Sequence, residues 1–421
     1  MKKKYKISAV IASLALITVL LASCSVGTKS TQTTNADNTS TVLSVEDVSV
    51  NSDGATAITL NNNYVSVSGS GAKAENSTVL ITSAGTYTVS GTLDDGNIIV
   101  DSEDDVTIIL DNANITCSYS SAVYVYNAKS VTLYLKDGTE NSLSDGSAYT
   151  YNDSYSSEAD EEPNACLYSK DDLIIAGSGS LTVNGNYSNG ITSTDTLLIE
   201  NVTLTVKAKN TGIKGKDDLT VKSGTYNLEC DGDTLHGDNN VTILDGTYTL
   251  TSGDDGIHGD NTVTINNGTF TISAHEAIEG TIVVINDGTV NISASDDGIN
   301  AAQKIDSVTP SVEINGGEIT INMAQGDTDA IDSNGNIKIN GGTVNITAQS
   351  AFDWDGTAEI SGGTVYVNGT KVTELTNQFG GGMGGMGGQP PRDGEMMTQD
   401  GEMMTQNGQP PQGKGGPGAH N

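Results

Sequence analysis

A repeat of about 22 residues runs through most of this chain and limits its fold more than any other feature. Each unit has an apolar anchor, a short polar turn and two segments of alternating polarity around a Gly-Thr pair or its equivalent. Neighbouring anchors lie 21 or 22 residues apart, except for one interval of 32 that holds an insertion at about 303–311. The anchors are Ile191, Ile213, Leu235, Ile257, Ile278, Ile299, Ile331 and Phe352, and Val123 and Cys166 extend the column upstream.

The alternation inside each unit predicts strands, because helical repeats place apolar residues three and four positions apart. A repeat of this length, built from strands, is typical of a solenoid whose rungs stack about 4.8 Å apart. We therefore predict an all-β chain that forms a right-handed parallel β-helix of roughly 10–13 rungs. Residues 42–80 are strand-like but off the period, and we expect them to form an N-terminal cap that covers the first edge.

The two ends of the chain differ in composition from the repeat. Residues 1–23 combine a basic start with a 16-residue apolar run and predict a lipoprotein signal peptide. Cys24 would then carry the lipid, although a simple signal peptide with a chance cysteine stays open. We expect a flexible linker over 24–54, the β-helix over 55–376 and a disordered tail rich in Gly, Met, Gln and Pro over 377–421.

The balance of charge limits the classes of partner. The chain has 19 Lys and Arg against 53 Asp and Glu, which gives a formal net charge of −34. Nucleic acids and anionic membrane surfaces attract basic patches, so neither is expected to bind here. Any contact with a membrane would be made through the lipid anchor alone, and cations are the favoured small partners.

Two further patterns concern packing inside the rungs. Asn266, Asn286, Asn315 and Asn340 recur at one position of successive units, as in a ladder of stacked amides; frequent Asn-Gly turns are the other interpretation. Besides Cys24 there are three cysteines, and an odd number excludes a complete disulfide framework. We expect buried free thiols at Cys117, Cys166 and Cys230, with a single disulfide left open.

Acidic side chains recur in register beside the anchors. A carboxylate stands two residues before five successive anchors, and further acids stand next to it. Two like charges about 4.8 Å apart repel by about 3.5 kcal/mol at an effective dielectric of 20. We therefore expect either that some of these carboxylates are protonated or that cations lie between them. The candidate metal ligands are Asp233, Asp254, Asp255, Glu276, Glu279, Asp296, Asp297, Asp329 and Asp332.

Calcium fits these candidates best, because it takes six to eight oxygen ligands, which adjacent rungs can supply. A solvated, self-repelling edge of turns is the alternative. His236 and His258 follow successive anchors and lie among the acids. They would suit zinc, but stacked solvent-facing histidines are the commoner arrangement.

Lysine is rare in this chain, yet five lysines fall between Lys207 and Lys222. Lys214 shares a column with His236 and is the candidate general base of a calcium-dependent polysaccharide lyase. Charge balance for the first acidic rung and contact with an acidic polysaccharide are the alternatives.

Tyrosines are concentrated in the first half of the repeat. In the segment Val123-Tyr124-Val125-Tyr126 the alternation predicts valines inside and tyrosines outside. Outward rings on a flat sheet suit stacking on sugar faces, so Tyr124, Tyr126 and Tyr168 are candidate carbohydrate-binding residues. Ordinary exposed strand tyrosines are the alternative.

Several blocks together resemble a family of bacterial, clostridial-type cell-surface carbohydrate-binding proteins. The resemblance spans about 55–375 and is carried by the segments 85–96, 136–146 and 163–186 and by the Asp-Gly-Ile rungs. It implies a right-handed parallel β-helix related in fold to pectate lyases, calcium in the acidic turns, and binding of cellulose or polygalacturonate. The chain departs from the family pattern at Cys166, Thr211, Leu235 and Glu276.

These observations lead to one main hypothesis and two alternatives. We expect a monomeric lipoprotein on the outer face of the cell membrane, which binds a plant-wall-type polysaccharide on a calcium-stabilised β-helix. A pectate-type lyase that uses Lys214 is the enzymatic alternative, and a structural surface spacer is the third. No catalytic residue other than Lys214 is predicted.

Overall fold

The computed structural model describes residues 48–151, 154–157, 162–326 and 328–377. All regular elements in these ranges are strands. The described part contains no helix long and apolar enough to cross a membrane. The predicted signal peptide, Cys24, most of the linker and nearly all of the tail lie outside the described residues.

Thirty-six strands follow one another along the chain. They are β1 Thr56–Asn62, β2 Tyr64–Ser68, β3 Ala72–Glu75, β4 Thr78–Ile81, β5 Gly85–Leu93, β6 Asn97–Asp101, β7 Asp105–Cys117, β8 Val123–Asn127, β9 Ser130–Leu135, β10 Glu140–Asp145, β11 Ala165–Ser169, β12 Leu173–Gly177, β13 Ser180–Gly185, β14 Asn189–Ser193, β15 Leu197–Glu200, β16 Val202–Ala208, β17 Ile213–Gly215, β18 Asp218–Val221, β19 Gly224–Cys230, β20 Leu235–Gly237, β21 Asn240–Ile243, β22 Thr247–Ser252, β23 Asp255–Ile265, β24 Thr269–Ala274, β25 Glu276–Ile285, β26 Thr289–Ala294, β27 Ile299–Ala301, β28 Ser311–Ile314, β29 Glu318–Met323, β30 Asp329–Ser333, β31 Asn336–Ile339, β32 Thr343–Thr347, β33 Ser350–Trp354, β34 Ala358–Ile360, β35 Thr364–Val367 and β36 Thr370–Val372.

The strands stack in parallel into a β-solenoid of about 13 turns with rungs of about 22 residues, which confirms the predicted fold class. Three sheets run along it. The first sheet contains β8, β11, β14, β17, β20, the first halves of β23 and β25, and β27. The second contains β15, β18, β21, the second halves of β23 and β25, and β28. The third contains β16, β19, β22, β24, β26 and β29.

From Ile191 onward the anchors stack as the repeat predicts, but the upstream prediction of Cys166 is wrong: Leu167 pairs with both Val123 and Ile191 and is the anchor of that rung. Ile191 pairs with Ile213, Ile213 with Leu235, and Leu235 with Ile257, and all four side chains are fully buried. Burying an aliphatic side chain of this size contributes about 1.5–3 kcal/mol, so each rung adds its own increment to one continuous core.

Antiparallel strands close both ends of the solenoid. At the N-terminal end β2 pairs antiparallel with β1, and β3 pairs antiparallel with β4. This matches the predicted cap over the part of 42–80 that is described. At the other end β36 folds back on β35, which the sequence analysis did not predict. Folded-back strands cover edges that would otherwise pair with other chains.

Two loops interrupt the repeat. The predicted insertion lies between β27 and β28 and matches its expected position closely. The other loop lies between β10 and β11 and begins only after Glu140–Asp145, which forms β10 and pairs with β7 and β13. Alternating residues of β10 point into the core, so this segment continues the third sheet before the loop begins.

The asparagine ladder is confirmed. The side-chain amide of Asn286 donates to Asn266 at 3.0 Å, that of Asn315 donates to Asn286 at 3.0 Å, and that of Asn340 donates to Asn315 at 2.8 Å. Each amide thus satisfies its neighbour one rung away. The three cysteines Cys117, Cys166 and Cys230 are free and buried, as expected.

Candidate functional site

A column of polar side chains follows the anchors along the outer face of the first sheet. The register stacks Lys214 on His236, His236 on His258, and His258 on Glu279. Glu279 is followed by Asn300 and then by Asp332. We call this column, together with the acids beside it, the polar band. Its members are Lys214, Asp233, His236, Asp238, Asp254, Asp255, His258, Asp260, Glu276, Glu279, Asp296, Asp297, Asn300, Asp329, Asp332 and Asp353.

His236 lies between two carboxylates of its own rung. Its Nδ1 is 2.6 Å from Asp233 Oδ2 and its Nε2 is 2.8 Å from Asp238 Oδ1. Lys214 Nζ lies 2.5 Å from the same Asp238 oxygen. His236 and Lys214, from adjacent rungs, therefore match the two carboxylates, and this group of four side chains is close to neutral when His236 is protonated.

His258 has the same arrangement with one more carboxylate. Its Nδ1 lies 2.5 Å from Asp255 Oδ2 and 2.8 Å from Glu279 Oε2, and its Nε2 lies 3.0 Å from Asp260 Oδ1. Lys304 approaches from the insertion loop and places Nζ 2.9 Å from Glu279 Oε1. Burial lowers the pKa of His258, but the hydrogen bonds to Asp255, Glu279 and Asp260 outweigh it and raise the pKa to about 11.

The following rungs carry carboxylates without a matching base. Burial and the carboxylates of Asp332 and Asp296 raise the pKa of Asp297 to about 7. Burial and repulsion from Asp353 raise the pKa of Asp332 to about 6. Among the described residues no Lys, Arg or His forms an ion pair with Asp297 or Asp332, so no positive charge offsets their burial and their mutual repulsion.

The predicted metal ligands thus divide into two stretches and a side cluster. Asp233, Asp255 and Glu279 face the two histidines, and Asp254 lies with Asp233 and Asp255 in one cluster of carboxylates. Asp297, Asp329 and Asp332 lie further along the polar band. The backbone N–H of Asp329 donates to Asp297 Oδ1 at 3.1 Å.

The side cluster brings Glu276 and Asp296 together with His275, within 4.8 Å of one another. Glu276 also accepts a hydrogen bond from the Asn300 amide at 2.9 Å. These two acids were predicted as ligands from the column, but the exposed His275 beside them was not.

Lys214 was the candidate base of a lyase. The structure places its ammonium in an ion pair with Asp238, one rung before the histidine pair. The ammonium is thus occupied by a carboxylate partner, and this contact gives the lyase hypothesis no support.

The predicted exposed tyrosine platform is wrong for two of its three members. Tyr124 and Tyr168 do lie on the side of the first sheet that faces away from the main core, but each is only 1% exposed. Together with Ile99 and Ala165 they form a small second apolar cluster, against which Tyr126 and Tyr155 pack. The loop between β10 and β11 carries Tyr155 and covers this cluster, which a reading of strand alternation alone did not reveal.

Sequence analysis missed the most regular exposed surface. The outer face of the third sheet presents nine exposed residues, three from each of β22, β24 and β26. We call them the hydroxyl grid: Thr247, Thr249, Thr251, Thr269, Thr271, Ser273, Thr289, Asn291 and Ser293. Strand register aligns them in three columns, such as Thr249, Thr271 and Asn291. The repeated Thr-x-Thr-x-Thr/Ser pattern was the available signal.

The hydroxyl grid is flat, uncharged and unused by the protein itself. Neighbouring residues within a column lie about 4.8 Å apart, on adjacent strands, and neighbouring columns lie about 6.6 Å apart along the strands. No hydroxyl of the grid hydrogen-bonds to another described residue, and only the Asn291 amide does so, to the Phe270 carbonyl at 3.4 Å. A groove of about 520 Å³ lined by Ser273, Ser293 and Met323 runs along one border of the grid.

Comparison with known proteins gives three results. A family model described as carbohydrate-binding domain-containing protein matches residues 75–328 and 274–378. A relative from Acetivibrio thermocellus with the same description is 44% identical over 132 residues, which cover 31% of this chain and 45% of the relative. The chain thus matches less than half of that relative's length.

The third result is a solved structure, described as a polysaccharide lyase-like protein from C. thermocellum in a gadolinium derivative. It is 28% identical and covers 76% of this chain and 100% of its own, with a TM-score of 0.33. A score this low supports no structural argument beyond the similarity itself.

Proposed function

Since the chain belongs to the carbohydrate-binding domain-containing family, we propose that it is a lipid-anchored surface protein that binds an uncharged plant-wall-type polysaccharide such as cellulose. The observation that supports the choice of polymer is the hydroxyl grid. Family membership supports carbohydrate binding in general, while the anchor, the polymer and the metal are our proposals.

The grid suits a polymer that presents regularly spaced hydroxyl groups on an ordered face. Its hydroxyl groups offer donors and acceptors that no part of the described protein satisfies, so their contact with a glycan replaces only hydrogen bonds to water. The short, β-branched threonines have few rotamers to lose on binding. A polyuronate would be repelled by a chain of net charge −34 unless cations intervened, whereas a neutral glycan is not.

Calcium is the metal that we propose for the later part of the polar band. The donor set of Asp297, Asp329 and Asp332 is all oxygen, which is the chemistry that calcium prefers. Burial, and after it repulsion from neighbouring carboxylates, raises the pKa values of Asp297 and Asp332, and a divalent cation would offset both effects. We propose that these three residues hold calcium, which when bound supplies positive charge between rungs and stiffens the solenoid.

Anchoring rests on the sequence alone. The lipobox-like segment before Cys24 would attach the chain to the outer face of the membrane, with the linker as a tether. A matched test is metabolic labelling with a palmitate analogue: label is expected in the wild type and absent in Cys24→Ser. Equal labelling of both would refute the anchor.

Binding can be tested by pull-down with insoluble cellulose and with polygalacturonate gel, each with calcium and with chelator. Thr249→Lys/Thr271→Lys places two long charged side chains in the middle of the hydroxyl grid. Thr242→Lys/Thr264→Lys makes the same change on the outer face of the second sheet in the same rungs. We expect the first pair to weaken binding to cellulose at least about tenfold, which corresponds to about 1.4 kcal/mol.

The control pair should leave binding unchanged. Equal loss for both pairs would show that added charge acts without regard to the surface, and no loss for either would refute the grid as the binding face. Binding to polygalacturonate alone, and only with calcium, would favour an acidic polymer bridged by cations over the proposed neutral one.

A further inference from the structure

One six-residue motif occurs in two consecutive rungs. It reads Asp-x-x-His-x-Asp, first from Asp233 to Asp238 and then from Asp255 to Asp260. The register of β20 and β23 places His236 directly beside His258. Each histidine therefore meets a carboxylate on both sides of its ring, in the same orientation on both rungs.

The two nitrogens of each ring have different surroundings. Nε2 contacts the last acid of the motif, at 2.8 Å in the first rung and 3.0 Å in the second. A carboxylate in this position accepts the Nε2–H and orients the ring, so Nδ1 is the nitrogen whose proton a metal ion would displace. Metal-binding histidines commonly have an acid behind the ring in this way.

The Nδ1 side of His258 is the place where ligands converge. Asp255 Oδ2 and Glu279 Oε2 lie 2.5 and 2.8 Å from this single nitrogen. A single N–H can be well aligned with only one acceptor. A proton on Nδ1 therefore leaves one of the two carboxylates without a well-formed hydrogen bond. The three ligand atoms lie within 4.8 Å of one another, and all three residues are buried. Lys304 holds the other oxygen of Glu279, which leaves Oε2 for this cluster.

We propose that His258 Nδ1, Asp255 and Glu279 form a site for a divalent transition metal of the zinc class, with Asp260 as the positioning residue behind the ring. An imidazole with two carboxylates is a donor set for zinc, cobalt or nickel, whereas calcium selects oxygen alone. The site is distinct from the calcium site proposed at Asp297, Asp329 and Asp332, and it depends neither on that site nor on carbohydrate binding.

His236 repeats the arrangement with fewer ligands. Its Nδ1 lies 2.6 Å from Asp233, and in the described part of the chain it forms no contact with a glutamate of the next rung. The two rings are stacked in parallel planes, so one ion cannot lie in the plane of both. The second motif, with its additional Glu279, is therefore the one that completes a site.

The test is metal titration of the full-length chain after chelator treatment, with Co²⁺ followed by its visible absorption and Zn²⁺ followed by calorimetry. We expect one ion bound with a tetrahedral or five-coordinate cobalt spectrum, retained in excess Ca²⁺. His258→Asn should abolish that spectrum. Asp260→Asn should weaken binding about 10–100-fold, as loss of a partner behind a ligating histidine does.

His275→Asn is the matched control, because His275 is exposed and lies in a different acidic cluster. It should leave the cobalt spectrum unchanged. The proposal is overturned if no Co²⁺ or Zn²⁺ binds, if Ca²⁺ displaces them at equal concentration, or if binding survives His258→Asn. Should His258→Asn unfold the chain, Asp260→Asn and Glu279→Gln keep the test decisive, since each retains an acceptor at its position.

Discussion

The imidazole of His236 lies flat against that of His258, with ring centroids 4.7 Å apart and planes 2° from parallel. This is the rung spacing of the solenoid, so a residue repeated once per rung becomes a stacked pair. The acids beside the two rings are stacked in the same way. The repeat thus places side chains of the same type in one column. Where these side chains carry like charges, other groups have to neutralise them.

Asp297 offers a test of how negative charge is neutralised in the later rungs of the polar band. Its folded pKa is raised from 3.8 to about 7, so the folded state favours the protonated form. Without metal, stability is therefore lost as pH rises from about 4 to about 7, because the folded chain must then hold a repelled carboxylate. Asp297→Asn mimics the protonated side chain and keeps the oxygen that accepts the Asp329 N–H. In chelator at pH 8 it should raise stability by about 1–2 kcal/mol.

With calcium the order should reverse. Saturating the wild type at 100 times the dissociation constant adds about 2.7 kcal/mol, whereas Asp297→Asn should gain little. Thermal melts of both proteins, each with calcium and with chelator, give the comparison. Equal calcium shifts in the two would remove Asp297 from the proposed calcium site.

Two lysine–glutamate pairs one rung apart differ mainly in burial. Lys222 and Glu200 are 11% and 5% exposed, while Lys207 and Glu229 are 61% and 64% exposed. Lys222→Met leaves the buried carboxylate of Glu200 without its cationic partner and should lower the free energy of unfolding by about 3–5 kcal/mol. Lys207→Met should cost at most about 1 kcal/mol. Urea unfolding curves measure both, and similar costs would contradict this assignment of burial.

Substitution of Tyr168 distinguishes a structural role of this side chain from a role in binding sugar. Because the side chain is buried in the second apolar cluster, Tyr168→Ala should destabilise the chain by about 3–5 kcal/mol, as large aromatic deletions do. Binding to cellulose by the fraction that remains folded should be unchanged. A loss of binding without a loss of stability would restore the predicted platform.

The three thiols should be unreactive in the native state. Burial raises the pKa of Cys117 to about 11 and that of Cys230 to about 12, and it raises that of Cys166 as well. Since the thiolate is the reactive form, a thiol reagent at pH 8 should label none of them until denaturant is added. Cys24→Ser removes the remaining cysteine as a control. Rapid labelling of the folded chain would contradict the buried positions.

Sequence analysis performed best where the signal is local and repeated. The anchors from Ile191 to Phe352 fix the rung length, and the ladder from Asn266 to Asn340 follows from the same period. It performed less well where an element outside the repeat meets the sheets. The covered Tyr124 is the clearest case, because strand alternation correctly predicts the side of the sheet but not what lies above it.

The sequence by itself therefore determined the parallel β-solenoid, the length of its rungs and the residues that share a column. These follow from alternation and period, which are properties of neighbouring positions along the chain. Only the tertiary structure decided which columns are neutralised, covered or exposed. Lys304 reaches Glu279 from the insertion, and Tyr155 packs on Tyr126 from the long loop. Such contacts depend on how loops fold back in space, which no spacing in the repeat encodes.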